Sequence, residues 1–317
     1  MVVVFRSVRR VLKDDGTLWL NLGDSYNGSG GAGGDYSPGG LKEGQPKYPG
    51  RNEKSLKPKD LMMIPARVAL ALQADGWWLR SEIIWHKPNP MPESVTDRPT
   101  KSHEMIYLLA KSAKYFYDAE AIKEPSKDPI DDRGARTAEE HKRFPTEKVN
   151  GIRASGVYPT RNKRDVWTVT TKPYKEAHFA TFPPDLIEPC ILAGTSAKGE
   201  CPKCGKAWVR VVETTGLPRN DKRTHSTEEQ RLGKTPAPEP VKGGNTSPIT
   251  TTIGWQPQCE CGEQPVPQKI LDPFNGSGTT GAVSIKHGRE YIGCELNPAY
   301  IELTYKRLAE VQPMLRL

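Results

Sequence analysis

The sequence predicts an α/β fold in which helices cover both faces of a doubly wound, mostly parallel sheet. Apolar residues recur at helical spacing within residues 2–12, and a largely apolar strand follows at Thr17–Leu22. The alternation returns near the C-terminus, where strands at Lys269–Leu271 and Glu290–Cys294 are each followed by a helical segment. Strands and helices that alternate at this spacing are typical of a parallel sheet with helical crossovers.

Further elements lie between these two ends of the chain. The apolar pattern predicts two more helices, over residues 60–75 and 184–194, and two more strands, over residues 77–85 and 104–110. Residues 27–59 and 123–164 lack such a pattern, and we expect them to form long loops. We predict three segments: the first part of the α/β domain at 1–198, an insertion at 199–264, and the rest of the domain at 265–317.

The chain carries a formal net charge of +8, and the excess lies in two segments. Residues 42–67 hold seven Lys or Arg against three Asp or Glu, and residues 123–172 hold twelve against eight. These segments therefore account for the whole excess. This distribution favours an anionic partner that meets these loops, and a solvated surface is the alternative.

The sequence does not indicate a membrane-spanning or a secreted protein. No run of 18 apolar residues occurs, and the first residues lack the layout of a signal peptide. We therefore expect a cytoplasmic protein. In that compartment the six cysteines are expected to be thiols or metal ligands rather than disulfides.

The segment from Ile270 to Gly281 has the pattern of a ligand-binding turn. A strand ends in Asp272 and enters a helix through glycines, which lets the backbone approach a ligand at the carboxyl edge of the sheet. The next strand leads to Glu295, whose carboxylate suits the two hydroxyls of a ribose. An acidic neighbour such as Asp272 also suits a zwitterionic amino acid with a cationic sulfonium, whereas it would repel a pyrophosphate.

Other ligand classes share part of this pattern. Gly276-x-Gly278-x-x-Gly281 also fits the dinucleotide fingerprint, so an NAD-dependent oxidoreductase remains an alternative. A phosphate-cradling nucleotide loop would need Gly-Lys-Ser/Thr, and no Lys follows these glycines. A plain Gly-rich turn without a ligand is the third alternative.

The combination of motifs resembles the beta group of DNA N4-cytosine and N6-adenine methyltransferases. The segment DPFNGSGTT at 272–280, followed by YIGCELNPxY at 291–300, is similar to the S-adenosylmethionine site of that family. Residues 178–183 resemble the segment that closes over the methionine end of the cofactor. Residues 85–89 with 100–104 resemble the middle strands of the family, and residues 16–24 resemble the strand after its catalytic motif.

This resemblance implies an S-adenosylmethionine-dependent methyltransferase fold in the circularly permuted order, with the cofactor turn near the C-terminus. It implies site-specific methyl transfer to the exocyclic amine of cytosine or adenine in double-stranded DNA, with the target base flipped out. A cognate restriction endonuclease would then be a partner, and both monomer and homodimer stay open. The cofactor-binding residues expected from the motifs are Phe179, Phe182, Pro183, Asp272, Pro273, Phe274, Gly276, Gly278, Thr279, Thr280, Glu295 and Asn297.

Two cysteine pairs indicate a zinc-ribbon-like insertion. Two residues separate Cys201 from Cys204, and this spacing lets both thiolates bind one tetrahedral ion. Cys259 and Cys261 form the second pair. The second pair has one intervening residue where a zinc ribbon normally has two or more. We expect structural zinc, because the polar stretch between the pairs could not order itself around an apolar core. Four unrelated thiols are the alternative.

The tetrapeptide that polarises the target amine is not found in the sequence. Amine methylation in this family uses an acidic or hydroxyl residue, two prolines and an aromatic residue, and the Pro183-Pro184 pair does not match that pattern. The family places the motif upstream of the helix at residues 2–12, so no catalytic residue is assigned. We expect this chain to bind S-adenosylmethionine and to methylate DNA poorly, and a catalytically inactive DNA-binding remnant is the alternative.

Overall fold

The computed structural model describes residues 1–28, 53–126, 130–131, 156–157, 160–172, 181–215 and 249–311. Along the chain, the helices and strands of this part are α1 Val2–Val11, β1 Thr17–Leu22, α2 Ile64–Ala74, β2 Trp78–His86, β3 His103–Ala110, β4 Glu124–Pro125, β5 Ile130–Asp131, β6 Gly156–Val157, β7 Thr160–Arg161, β8 Val166–Thr168, α3 Pro184–Gly194, β9 Trp208–Thr215, β10 Ile249–Pro257, β11 Lys269–Asp272, α4 Thr279–Lys286, β12 Glu290–Gly293 and α5 Pro298–Val311.

The chain divides into two compact units. The first comprises Met1–Ile122, Lys163–Trp208 and Pro257–Leu317, and the second comprises Lys123–Asn162 and Val209–Gln256. Both cysteine pairs, which the sequence assigned to an insertion at 199–264, belong to the first unit. The chain between the pairs belongs largely to the second unit.

The largest sheet of the first unit has four strands in the order β1-β3-β2-β8. Strand β3 runs antiparallel to both β1 and β2, and β2 pairs in parallel with β8. The prediction of a mostly parallel arrangement is therefore wrong for this sheet, which is mixed. The physical reason is the connection between β2 and β3 at residues 87–102, which contains no helix, because a parallel neighbour would have required a crossover.

Helices cover both faces of this sheet, as the α/β prediction requires. On one face, α1 and α2 pack through Phe5, Val8 and Leu72 against strand residues that include Leu109. On the other face, Leu186 and Cys190 of α3 pack with Ile106 and three further buried side chains, Ile83, Trp85 and Trp167. Successive side chains of β3 point to opposite faces, so the two clusters share this strand.

The C-terminal part of the first unit contains the strand–helix–strand–helix sequence predicted for it. Strands β11 and β12 pair in parallel, with Asp272 opposite Gly293. Helix α4 begins at Thr279, after Gly278 in the left-handed conformation, and helix α5 follows β12. Parallel pairing brings the carboxyl ends of β11 and β12 to one edge.

The second unit contains short strand pairs, in which β4 pairs with β7, β5 with β6, and β9 with β10. The Arg161 guanidinium donates to Glu124 at 2.8 Å across the β4–β7 pair. Arg210 lies 4.6 Å from the Trp255 ring centroid, which is a cation–π distance. No helix in the described ranges combines the length and apolar composition that a membrane span requires.

Candidate functional site

Asp272 is fixed at the end of β11 by contacts from the turn that follows it. Its Oδ1 accepts a hydrogen bond from the Phe274 amide at 3.0 Å, and its Oδ2 accepts one from the Thr280 hydroxyl at 2.5 Å. The second contact links the strand end to the first turn of α4. The carboxylate is half-buried, so part of it still faces solvent.

Glu295 joins the glycine-rich turn to the chain that follows β12. Its Oε2 accepts a hydrogen bond from the Gly276 amide at 2.8 Å, and its Oε1 accepts from the Leu296 and Asn297 amides, both at 2.9 Å. A carboxylate offers about four lone-pair sites, so these three bonds leave capacity for one more donor. Glu295 and Asp272 therefore flank the turn from two neighbouring strand ends.

The turn between these carboxylates requires glycine at specific positions. Gly276 and Gly278 have φ values of 54° and 74°, in the left-handed region that favours glycine. A Cβ at Gly278 would lie 2.7 Å from Cγ2 of Thr304, and a Cβ at Gly281 would lie 2.6 Å from the Tyr291 ring. The turn thus packs tightly on its inner side.

The outer side of the turn carries exposed apolar groups. The Phe274 side chain is 57% exposed, and its ring lies 6.4 Å from the Phe5 ring of α1 in an edge-on arrangement. Leu296, next to Glu295, is 99% exposed. Exposed apolar side chains beside two carboxylates suit an organic ligand with both polar and apolar parts.

Two of the three cofactor residues predicted within residues 178–183 pack in the core. Phe182 packs against the apolar cluster around Trp85 and Trp167, and Pro183 is fully buried at the start of α3. These contacts place both residues in the core beside α3. Phe179 lies outside the described residues.

The four predicted metal ligands come together in the first unit. The Sγ atoms of Cys201, Cys204, Cys259 and Cys261 all lie within 4.8 Å of one another. Zn–S bonds of about 2.3 Å in a tetrahedron would require S–S distances of roughly 3.8 Å, so a small contraction of the cluster would suffice. The single residue between Cys259 and Cys261 does not prevent this approach.

Hydrogen bonds shift the pKa values of two of these thiols in opposite directions. The Cys204 amide, followed by the Lys203 amide, lowers the pKa of Cys201 to about 7. Hydrogen bonds with Cys204 and then Cys259 raise the pKa of Cys261 to about 12. Four adjacent sulfur atoms cannot all be thiolates without a cation, and a divalent zinc ion would supply that charge.

The first cysteine pair is anchored to the α/β domain. Gly199 has a φ of 111°, and a Cβ there would overlap the carbonyl oxygen of Val266. Glu200 exchanges two backbone hydrogen bonds with Val266, at 2.8 and 2.9 Å. Lys13, which follows α1, forms a salt bridge with Glu200 and donates to the Gly205 carbonyl at 3.0 Å.

Sequence reasoning missed the polar side chains that support the turn, among them Asn275 and Thr304, which are buried, and Arg307, which is half-buried. It also missed Asn27, whose amide donates to three carbonyls between residues 53 and 57 and accepts from the Glu53 amide at 2.7 Å. These hydrogen bonds join Asn27 to residues 53–57, at the two described ends of the predicted Gly-rich loop 27–59. An asparagine just before a glycine run was the only local signal.

Comparison with known proteins decides the family. A family model described as "DNA methylase" matches residues 1–200 and 265–306, which is well over half of the chain. The chain belongs to this DNA methylase family. The expectation of a site-specific DNA methyltransferase is confirmed, and these matches give no support to the NAD-dependent oxidoreductase.

Individual relatives agree with this DNA methylase assignment. The chain is 38% identical over 315 residues to Type II methyltransferase M.Cfr9I of Citrobacter freundii, and the match covers 97% of this chain and 70% of that protein. It is 36% identical over 311 residues to Type II methyltransferase M.SmaI of Serratia marcescens, with 97% and 72% covered. The fold is similar to PvuII DNA methyltransferase (cytosine-N4-specific), with a TM-score of 0.50, 14% identity, and 96% and 70% of the two chains covered.

Proposed function

We propose that this DNA methylase binds S-adenosylmethionine at the turn between β11 and α4. The observation that carries the proposal is the placement of two half-buried carboxylates, Asp272 and Glu295, at neighbouring strand ends on either side of a glycine turn. The cofactor has a matching charge pattern, because its ribose offers hydroxyl donors and its methionine end carries cationic groups.

Each residue has a distinct task in this proposal. Glu295 would accept a hydrogen bond from one ribose hydroxyl with its remaining lone-pair site, and Asp272 would offset the positive charge of the methionine end. The tight backbone at Gly276 and Gly278 would let the cofactor approach closely. Phe179, Phe182, Pro273, Phe274, Thr280 and Asn297 are further proposed contacts, whereas Pro183 and Thr279 are buried in this structure and are not retained. When bound, the cofactor supplies an electrophilic methyl group.

We further propose the exocyclic amine of cytosine (N4) or adenine (N6) in double-stranded DNA as the acceptor. Such an amine is not accessible in a stacked duplex, so the base would have to be flipped out. The permuted motif order is part of the same proposal. It is supported by the position of the cofactor turn in the second matched stretch, at 265–306.

One zinc ion at Cys201, Cys204, Cys259 and Cys261 completes the proposal. The four sulfur atoms have the number, chemistry and proximity of a structural zinc site. The metal would join two short pairs that are separated by 54 residues in the sequence. Its task would be structural, because four protein ligands leave no open position for a substrate.

The cofactor site is tested by measuring S-adenosylmethionine affinity with calorimetry in Asp272→Asn and Glu295→Gln. Each variant keeps its shape but loses a charge-assisted hydrogen bond of about 1.5–3 kcal/mol, so we expect roughly tenfold or greater weakening. Glu290→Gln is the matched control, because Glu290 lies at the opposite end of β12 and pairs with Lys269 at 3.1 Å. Unchanged affinity in both test variants would contradict the assignment, as would tighter binding of NAD than of S-adenosylmethionine.

A further inference from the structure

Helix α5 holds the inner side of the glycine turn through side-chain hydrogen bonds. Nη1 of Arg307 donates to the Ser277 hydroxyl at 3.1 Å and to the Thr279 hydroxyl at 2.7 Å. These two hydroxyls lie on either side of Gly278, and both residues are almost fully buried. Arg307 therefore bridges the turn across the residue with left-handed backbone geometry.

A second contact from α5 supports the same turn one helical turn earlier. The Thr304 hydroxyl accepts a hydrogen bond from the Asn275 side-chain amide at 2.7 Å and lies 3.2 Å from the Gly276 carbonyl. Its methyl group occupies the space that a side chain at position 278 would need. Tyr291 donates its hydroxyl proton to the Asn275 carbonyl, which orients the amide toward Thr304.

These contacts connect the interior of the unit to the ligand-facing side of the turn. The Gly276 amide that contacts Glu295 belongs to the same residue whose carbonyl faces Thr304. A change in α5 therefore alters the position of the Glu295 partner without touching a ligand. The chain also carries Arg289, a more deeply buried arginine that binds Thr195 and the His287 carbonyl at the amino end of β12.

We propose that Arg307 and Thr304 are positioning residues that hold the glycine turn in its cofactor-binding conformation. The inference rests on the proposed function, because it assumes that S-adenosylmethionine binds at this turn. It adds that affinity for the cofactor is set by a helix that lies behind the turn and makes no contact with the ligand. Preorganised binding loops gain affinity because less conformational freedom is lost on binding.

The test compares Arg307→Met with Arg289→Met in the 317-residue chain. Both changes remove a half-buried or buried guanidinium and keep an aliphatic stem, so they match in chemistry and differ in location. We expect Arg307→Met to weaken S-adenosylmethionine binding roughly tenfold, measured by calorimetry. Arg289→Met should lower the unfolding temperature and leave the affinity within about twofold of wild type.

Conservative substitutions at Thr304 provide an independent test of the same proposal. Thr304→Val keeps the shape and removes the hydroxyl, and we expect about a fivefold loss of affinity with faster amide hydrogen exchange over residues 273–281. Thr304→Ser restores the hydroxyl and should restore slow exchange and most of the affinity. If Thr304→Val does not fold, the Arg307 pair of variants still decides the question.

The outcomes separate this inference from the cofactor site itself. If wild type does not bind S-adenosylmethionine, or if Asp272→Asn and Glu295→Gln bind normally, the proposed site is wrong. If those two variants weaken binding while Arg307→Met and Thr304→Val bind as wild type does, only the role of α5 is overturned. If Arg307→Met and Arg289→Met lose the same amount of S-adenosylmethionine affinity, both losses come from general destabilisation. That result would also overturn the positioning role of α5.

Discussion

Gly278 shows how backbone conformation and packing constrain a single residue. Its φ of 74° disfavours any side chain, and Thr304 fills the space where a Cβ would lie. Gly288 has a similar φ of 69°, yet a Cβ there would meet no atom within 4 Å. A side chain at Gly288 would therefore cost only the strain of the left-handed conformation, whereas a side chain at Gly278 would also overlap Thr304.

We predict that Gly278→Ala weakens S-adenosylmethionine binding at least tenfold and that Gly288→Ala does not. Both substitutions should destabilise the protein by about 1–2 kcal/mol through backbone strain, because a Cβ disfavours the left-handed region. Gly278→Ala should cost more, since Thr304 must also move. Calorimetric affinity and thermal unfolding of both variants check this, and equal affinity in the two would show that the packing under the turn is unimportant.

At the scale of elements, the cysteine knuckle depends on its attachment to the α/β domain. Glu200 forms one bridge with Val266 on one side and another with Ala207 on the other, so the chain before Cys201 is held by two segments. This attachment brings the second cysteine pair, which follows β10, beside the first. Backbone pairing holds the cysteine knuckle in place, and the metal site that we propose would stabilise it further.

We predict about one zinc per chain in protein purified without chelator, by elemental analysis. Cys201→Ser and Cys261→Ser should each reduce the zinc content well below half and lower the unfolding temperature, because metal binding contributes to folding. Cys294→Ser is the control, since Cys294 is an exposed thiol outside the cluster. A zinc content near zero in folded wild-type protein would reject the site.

At the scale of the whole molecule, the excess of positive charge is unevenly distributed along the sequence. Two segments, 42–67 and 123–172, carry the whole excess. Arg161 pairs with Glu124, and Lys163 lies 5.0 Å from the Trp167 ring centroid, so the described part of the second segment is held near defined partners. A DNA methylase needs such a surface for phosphate contacts.

We predict that replacing Arg161, Lys163 and Arg164 together with glutamine weakens DNA binding and flattens its salt dependence. Each lost phosphate contact should lower the slope of log K against log salt by roughly 0.9. The control replaces Arg10, Lys269 and Lys286, three cations outside both segments, with glutamine. Equal affinity and equal slope in the two triple variants would mean that the charges at 161–164 are only a solvated surface.

Local sequence patterns were sufficient to predict the elements that are formed by residues close together in the chain. The sequence predicted β1 and α3 with the limits that the structure has, and the strands and helices at 269–311 within one or two residues. Periodicity and turn residues determine these features, because helices and tight turns are built from contacts a few residues apart. The positions of Asp272 and Glu295 at strand ends followed from the same patterns.

Tertiary structure alone decided the features that depend on distant segments. The antiparallel direction of β3 and the hydrogen bonds that link Arg307 and Thr304 to the turn each join residues that are far apart in the chain. No local pattern specifies them, because an arginine or threonine on a helix has many partners that would satisfy it equally well. Packing of the whole domain selects one partner, and that selection shapes the turn proposed to hold the cofactor.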